Sequence, residues 1–222
     1  NSFCTLLAGL WPHVMKAVCS RAASFKREGV ADVGPKMLTM IYVVDREAKT
    51  ALLGHKARGF GEGKWNGFGG KVDPSDASIR DGAIRELTEE CGLGVRRPEA
   101  MRRVGVNFYE YPAALQPKLF EVHIYLVDSR ETTGEVTESE EMTPIRMVPF
   151  ADVPYDKMWA DDPFWLPRAL EREATLPADA TVSADDGCFV GYYEFVSYSE
   201  VAKHEVAWGS AREVDECCRP HC

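Results

Sequence analysis

No apolar run in the 222 residues approaches the ~18 that a membrane-spanning helix needs, so no membrane partner is expected. Basic residues are outnumbered, 26 Lys and Arg against 35 Asp and Glu, and the resulting charge of −9 would repel a duplex or a single strand. A nucleic-acid polymer is therefore not the expected partner, although an acidic protein can take a polyphosphate where bound metal inverts the local charge. The seven cysteines, at 4, 19, 91, 188, 217, 218 and 222, lack the spacing of a disulfide framework or of a zinc pair of pairs. Their pattern favours a reducing compartment, and with it a cytoplasmic home. Internal repeats and low-complexity tracts are missing too.

Acidic residues are absent from the first 27 positions, which hold Lys16, Arg21, Lys26, Arg27 and a small-residue patch at Ser20 to Ser24. That is the composition of an organelle import peptide, and equally of a plain N-terminal extension, so mitochondrial or other organelle import stands beside the cytoplasmic reading. At the other end, Cys217-Cys218-Arg219-Pro220-His221-Cys222 could hold a metal but reads as a disordered tail, and with Arg219 fourth from the last residue no prenylation signal is expected. With 45% hydrophobic residues the chain can bury one full core and little more, as a monomer. The expected organisation is an extension over 1–35, a domain over 36–200 and a tail over 201–222.

Within the domain, Met37 to Val44 reads as a buried strand and Thr50 to Gly54 as its hairpin partner, with a turn at Asp45 to Lys49. A loop with Gly59, Gly61, Gly63, Gly67, Gly69 and Gly70 follows, interleaved with Lys56, Arg58, Lys64 and Lys71. Glycines let the backbone approach a ligand closely and the cations suit a polyphosphate. Beyond a helix over Ser78 to Cys91, strands are expected at Arg102 to Tyr111, Leu119 to Asp128, Pro144 to Phe150 and Phe189 to Tyr198. Thr132 to Met142 is an acidic loop, Ala178 to Gly187 a small acidic insertion, and a second helix runs from Asp162 to about Glu173, with Asp162 as its N-cap and Pro163 at N1. Strands on either side of a central helix give an α/β fold, a sandwich with a mixed sheet.

The helix over Ser78 to Cys91 has an apolar stripe at Ile79, Ala83, Ile84, Leu87 and Cys91, with Asp76 or Ser78 to cap it and Gly92 to stop it. Glu86, Glu89 and Glu90 fall at i, i+3 and i+4, so three carboxylates share an arc of roughly 100°. A solvated acidic face is the plain alternative. Against it, such like-charge pairs cost about 0.2–0.5 kcal/mol each, a repulsion that a divalent cation would remove. Gly82, one turn earlier, would leave the arc open to a bulky ligand.

Gly70 together with Arg85-Glu86-Leu87-x-Glu89-Glu90-x-Gly92-Leu93 resembles the box of the Nudix family, with one extra residue between Gly70 and Arg85 and with Asp76 or Ala77 in place of the first box Glu. The resemblance implies the Nudix α/β/α sandwich and a site in which Mg2+, with Mn2+ as substitute, is held by Glu86, Glu89, Glu90, Glu141 and the carbonyl of Gly69, with Arg85 orienting the carboxylates. Likeness over about 37–198 to the animal MutT-homologue subgroup, which acts on oxidised purine nucleoside triphosphates such as 8-oxo-dGTP and 2-hydroxy-dATP, rests on the runs around Arg58, Asn66, Glu138 to Met142 and Met158 to Trp165. It implies substrate contacts at Thr39, Lys56, Phe60, Asn66, Phe68, Gly69, Gly70, Lys71, Trp159, Asp161 and Asp162, with the base between aromatic walls at Phe60 and Trp159. Adjacent carboxylates crowded by Trp159 and Trp165 suit a pair of which one stays protonated. A related enzyme that cleaves other nucleoside diphosphate-linked substrates, and a module that binds nucleotide without turnover, are the competing readings.

Overall fold

The computed structural model describes residues 11–29, 34–176 and 187–218. Helix α1 spans Trp11–Ala23, followed by strands β1 (Lys36–Asp45), β2 (Thr50–Lys56) and β3 (Trp65–Asn66), then helix α2 (Ile79–Cys91). Strands β4 (Arg102–Glu110), β5 (Phe120–Asp128) and β6 (Met142–Pro149) precede helix α3 (Asp162–Thr175), and β7 (Cys188–Ser197), β8 (Glu200–Gly209) and helix α4 (Ala211–Cys218) complete the set. Apart from the two-residue β3, which falls inside the expected glycine-rich loop, the named strands and helices from β1 to β7 fall where the apolar patterning places them. The chain divides into two compact units, one of Asn1–Met37, Arg103–Val122 and Ser183–Cys222, the other of Leu38–Arg102 and His123–Val182. They interleave along the sequence, so neither follows the expected boundaries at 35 and 200.

In the first unit β4 and β7 pair in parallel, Gly105 opposite Phe189 through Glu110 opposite Glu194, and β8 adds antiparallel to β7. Met15, Val18 and Ala22 of α1 and Val214 of α4 are buried against Val106, Phe108, Val190 and Tyr192. The stretch expected as a tail therefore starts with a strand and a helix, and the stretch expected as an extension contains a helix of the core. Both arginines of that extension have partners: Arg21 pairs with Glu110 and Glu194 and lies over the Tyr192 ring, and Arg27 donates to the Tyr111 and Gln116 carbonyls. Cys19 is disulfide-bonded, a pairing its spacing does not announce. The apolar stretch before Trp11, most of the 178–187 insertion and the last four residues lie outside the described residues.

In the second unit β2 pairs antiparallel with β1, β3 and β6. In the first unit the parallel pairing of β4 with β7 together with the antiparallel pairing of β8 with β7 makes the sheet mixed, as expected. Helix α2 starts where Ser78, in extended conformation, accepts the Asp81 N–H, and ends at Gly92, left-handed at φ 76°, whose N–H reaches the Thr88 carbonyl. Its apolar stripe then faces the sheet. Ala83, Leu87 and Cys91 are fully buried with Ile41, Val43, Leu52, Phe68 and Met142. Burial of a side chain such as Leu87 contributes about 1.5–3 kcal/mol, so the opposite face of the helix is held in place by its apolar one. No helix among the described residues is long and apolar enough to cross a membrane.

Candidate active site

The glycine-rich loop is stitched to β1. Ile41 and Phe68 exchange both backbone bonds, at 2.7 and 2.9 Å, and Thr39 N donates to the Gly70 carbonyl at 2.9 Å. Gly69 is obligatory at this seam, because a Cβ there would lie 2.1 Å from the Thr39 carbonyl oxygen. A Cβ on Gly70 would lie 2.6 Å from a Glu86 carboxylate oxygen, so the absent side chain is what admits Glu86 to the loop. Phe68, counted among the substrate contacts, is wholly buried in the core cluster of Ile41, Leu87 and Met142.

Arg85 ties this loop to the helix. Its guanidinium donates to both Asp76 oxygens at 3.0 Å, to Glu86 at 2.9 Å, to Glu89 at 3.1 Å and to the Lys71 carbonyl at 3.0 Å. Asp76, which also accepts the Asp73 N–H at 2.7 Å, is thus the residue that steadies the loop, and the choice between Asp76 and Ala77 falls to Asp76. The reason for Gly82 changes accordingly. It is buried, and its missing Cβ would lie 2.7 Å from Asp76, so the space it leaves is filled by Asp76 and not by a ligand.

The three glutamates differ in setting. Glu89 is exposed, Glu86 is half-buried, and Glu90 is buried with one oxygen accepting the Gly69 N–H at 2.8 Å. Lys56, at the end of β2, places its ammonium 2.7 Å from the other Glu90 oxygen and 2.8 Å from Glu141. The expected repulsion along the arc is therefore already offset by Arg85 and Lys56. Burial raises the pKa of Glu86 and of Glu90, the latter against the opposing bond from Lys56, whereas the same ammonium lowers that of Glu141. Burial alone would lower the Lys56 pKa, but its bonds to Glu141 and Glu90 outweigh that and raise it.

Among the described residues, no three His, Cys, Asp or Glu side chains already converge as a metal cage. The donor set nevertheless fits a hard cation. It consists of oxygens only, four carboxylates and the Gly69 carbonyl, and the Lys56 ammonium already sits as a positive charge bonded to both Glu90 and Glu141.

A second cluster lies at the start of α3. Asp161 and Asp162 are 2% and 3% exposed, so neither is solvated. Asp162 does not cap the helix: it is the first helical residue, Asp161 stands at the N-cap without a side-chain cap bond, and the Asp162 carboxylate turns back to accept the Trp159 N–H at 2.9 Å. Asp161 accepts the indole N–H of buried Trp165 at 3.1 Å. Burial pushes the Asp162 carboxyl well above the usual carboxylate range, and the charge of Asp161 pushes it further. Burial and then the charges of Asp162 and Asp161 raise the Tyr42 hydroxyl, and burial with Asp162 pushes that of Tyr155 up to about 12.

Asn66 on β3 accepts from Tyr42 at 3.3 Å and from Gly67 N at 3.0 Å through one oxygen, which leaves its amide nitrogen as the donor of the group. Thr39 is buried and its hydroxyl has no hydrogen-bond partner among the described residues. Phe60 and Trp159 do not form two separated walls. Their rings stack at 4.9 Å between centroids, too close for a base between them, and the Lys64 ammonium lies 5.2 Å over the Trp159 ring. A Cβ on Gly61 would lie 2.7 Å from Trp159, so the loop itself rests on that ring. Tyr42 escaped notice inside an apolar run; a buried tyrosine needs a partner for its hydroxyl, and that need was the available signal.

A family model described as NUDIX domain matches residues 35–169. The chain is 36% identical over 171 residues to a Danio rerio protein named oxidized purine nucleoside triphosphate hydrolase, covering 77% of this chain and 94% of that one. It is 36% identical over 184 residues to the Mus musculus protein of the same name, covering 81% and 96%. Among solved structures, a MutT protein from Bacillus halodurans shares the fold with a TM-score of 0.55 at 18% identity, over 77% of this chain and 97% of that one. Box glutamates on a capped helix, a glycine loop seated on β1 and a family match over that whole stretch lead to one conclusion: the chain belongs to the NUDIX domain family and is a Nudix hydrolase.

Proposed function

We propose that this enzyme hydrolyses oxidised purine nucleoside triphosphates, 8-oxo-dGTP and 2-hydroxy-dATP among them, to the monophosphate and pyrophosphate with Mg2+ as its cation. The observation that carries the reading is the buried pair Asp161 and Asp162, of which Asp162 is held toward its protonated form. Guanine presents an acceptor at N7, and oxidation at C8 turns that position into a donor. A protonated carboxyl beside an ionised one offers a donor and an acceptor together, which suits an altered purine edge. Asn66 supplies a further amide donor, and Trp159 an aromatic face once Phe60 yields its place. The names of the 36% identical relatives support the same substrate class.

Glu86, Glu89, Glu90 and Glu141, with the carbonyl of Gly69, would hold the divalent cation that the family generally uses. When bound, such a cation neutralises phosphate charge and activates water. Arg85 keeps Glu86 and Glu89 aimed at one side of the helix through charge-assisted bonds. The proton of the attacking water goes to a carboxylate of this set, Glu86, Glu90 or Glu141. The enzyme acts as a monomer on free nucleotide, consistent with a net charge of −9 that disfavours polymer.

Release of pyrophosphate from 8-oxo-dGTP, 2-hydroxy-dATP and dGTP, with and without Mg2+, tests this. The oxidised nucleotides should exceed dGTP in kcat/KM by at least about tenfold, and only with Mg2+. Equally poor hydrolysis of all three would move the substrate to another nucleoside diphosphate-linked compound, and binding without hydrolysis would leave a nucleotide-binding module.

A further inference from the structure

We propose that the Lys56 ammonium is the resident counter-charge of the acidic site, and that a divalent cation gains Glu90 and Glu141 only by displacing it. The inference rests on the metal-site part of the function above and not on the purine preference.

Glu90 has both oxygens engaged, one by the Gly69 N–H at 2.8 Å and one by Lys56 at 2.7 Å, and its side chain is 7% exposed. An ionised carboxylate so buried needs a cation, and among the described residues Lys56 is the only one in contact with it. The same ammonium also bonds Glu141, at 2.8 Å. A lysine nitrogen between two carboxylates at hydrogen-bond length occupies the space a cation with oxygen ligands at roughly 2.0–2.6 Å would need, so the two charges exclude one another.

The side chain can leave while its backbone stays. Lys56 N donates to the Lys64 carbonyl and the Lys56 carbonyl accepts Gly63 N, both at 2.8 Å, so departure asks only for rotation of the flexible side chain. Glu141 keeps a cation after the exchange, because Arg58 lies 3.8 Å from it and pairs with its neighbour Glu140 at 3.2 Å. Glu90 keeps none, which ties the exchange to arrival of the metal. Lys56 thereby makes the metal-free site stable and sets the concentration at which metal enters.

Titration with Mn2+, read as free Mn2+ by electron paramagnetic resonance, compares the wild type with Lys56→Met, which keeps the length of the side chain and removes its charge. The variant should bind Mn2+ on the order of tenfold more tightly. Equal or weaker binding by Lys56→Met overturns the proposal. Absence of Mn2+ binding to the wild type overturns it together with the metal-site reading, whereas loss of oxidised-purine preference with Mn2+ binding intact touches the substrate alone. The unsubstituted protein gives a second readout that needs no variant: amine acetylation followed by mass spectrometry should find Lys56 protected without Mg2+ and labelled faster with it. Unchanged or slower labelling contradicts displacement.

Discussion

Arg85 uses all three of its nitrogens on the loop and helix it joins, and the glutamates it touches differ in what they do besides. Glu89 is 59% exposed and has Arg85 as its partner, so its charge contributes little to the fold. Its replacement separates chemistry from stability. Glu89→Gln should lower kcat by about a hundredfold or more, the range for a group that holds the reacting charge, while unfolding shifts by no more than about 0.5 kcal/mol. Steady-state kinetics beside a thermal melt checks both numbers, and near-normal turnover would remove Glu89 from the site. Glu90 would not give so clean an answer, since its carboxylate is also the buried partner of Lys56.

At the scale of the element, the loop and helix α2 act as one piece because Gly82 lets Asp76 reach Arg85. Ala is the better helix former by about 1 kcal/mol, so Gly82→Ala should stabilise if propensity alone decided. Instead the new Cβ would lie 2.7 Å from the Asp76 carboxylate, which is fixed by two bonds to Arg85 and one to Asp73. The variant should melt lower than wild type and lose kcat several-fold; a higher melting temperature with full activity would contradict this role. Here the sequence was half legible. Like-charge spacing and the box pattern located the helix, its cap and its carboxylates, yet the reason for Gly82 lay in a contact six residues away through a loop. Strand β8 is not legible because half of its residues are exposed and it lacks apolar alternation, and α1 because Arg21 finds its acids at positions 110 and 194. Asp162 was misjudged as a cap because the spacing Asp-Asp-Pro suits one, and only the fold turns its carboxylate toward Trp159.

For the whole molecule, the buried Asp162 makes stability depend on pH in a direction opposite to the paired carboxylates. Its pKa is raised on folding by burial and then by Asp161. A carboxyl raised above its unfolded value of about 3.9 contributes stability below that value and loses it as pH rises through the folded pKa. Asp76, Asp128 and Glu141 are lowered, so their contribution is present at neutral pH and lost on acidification, and it is common to wild type and variant alike. Asp162→Asn should therefore gain on the wild type in melting temperature as pH rises, with the difference shrinking toward acid. A difference that does not change with pH would mean that Asp162 titrates normally.

The central claim is that Asp162 reads the altered purine edge while the box glutamates do the chemistry, and the most direct measurement is the ratio of kcat/KM for 8-oxo-dGTP to that for dGTP, in the wild type and in Asp162→Asn. Asn is fixed in one donor and acceptor arrangement and cannot share a proton with Asp161, so the ratio should fall by about tenfold or more, toward one, while dGTP turnover stays measurable. A ratio that survives the substitution unchanged would place recognition elsewhere and contradict the account.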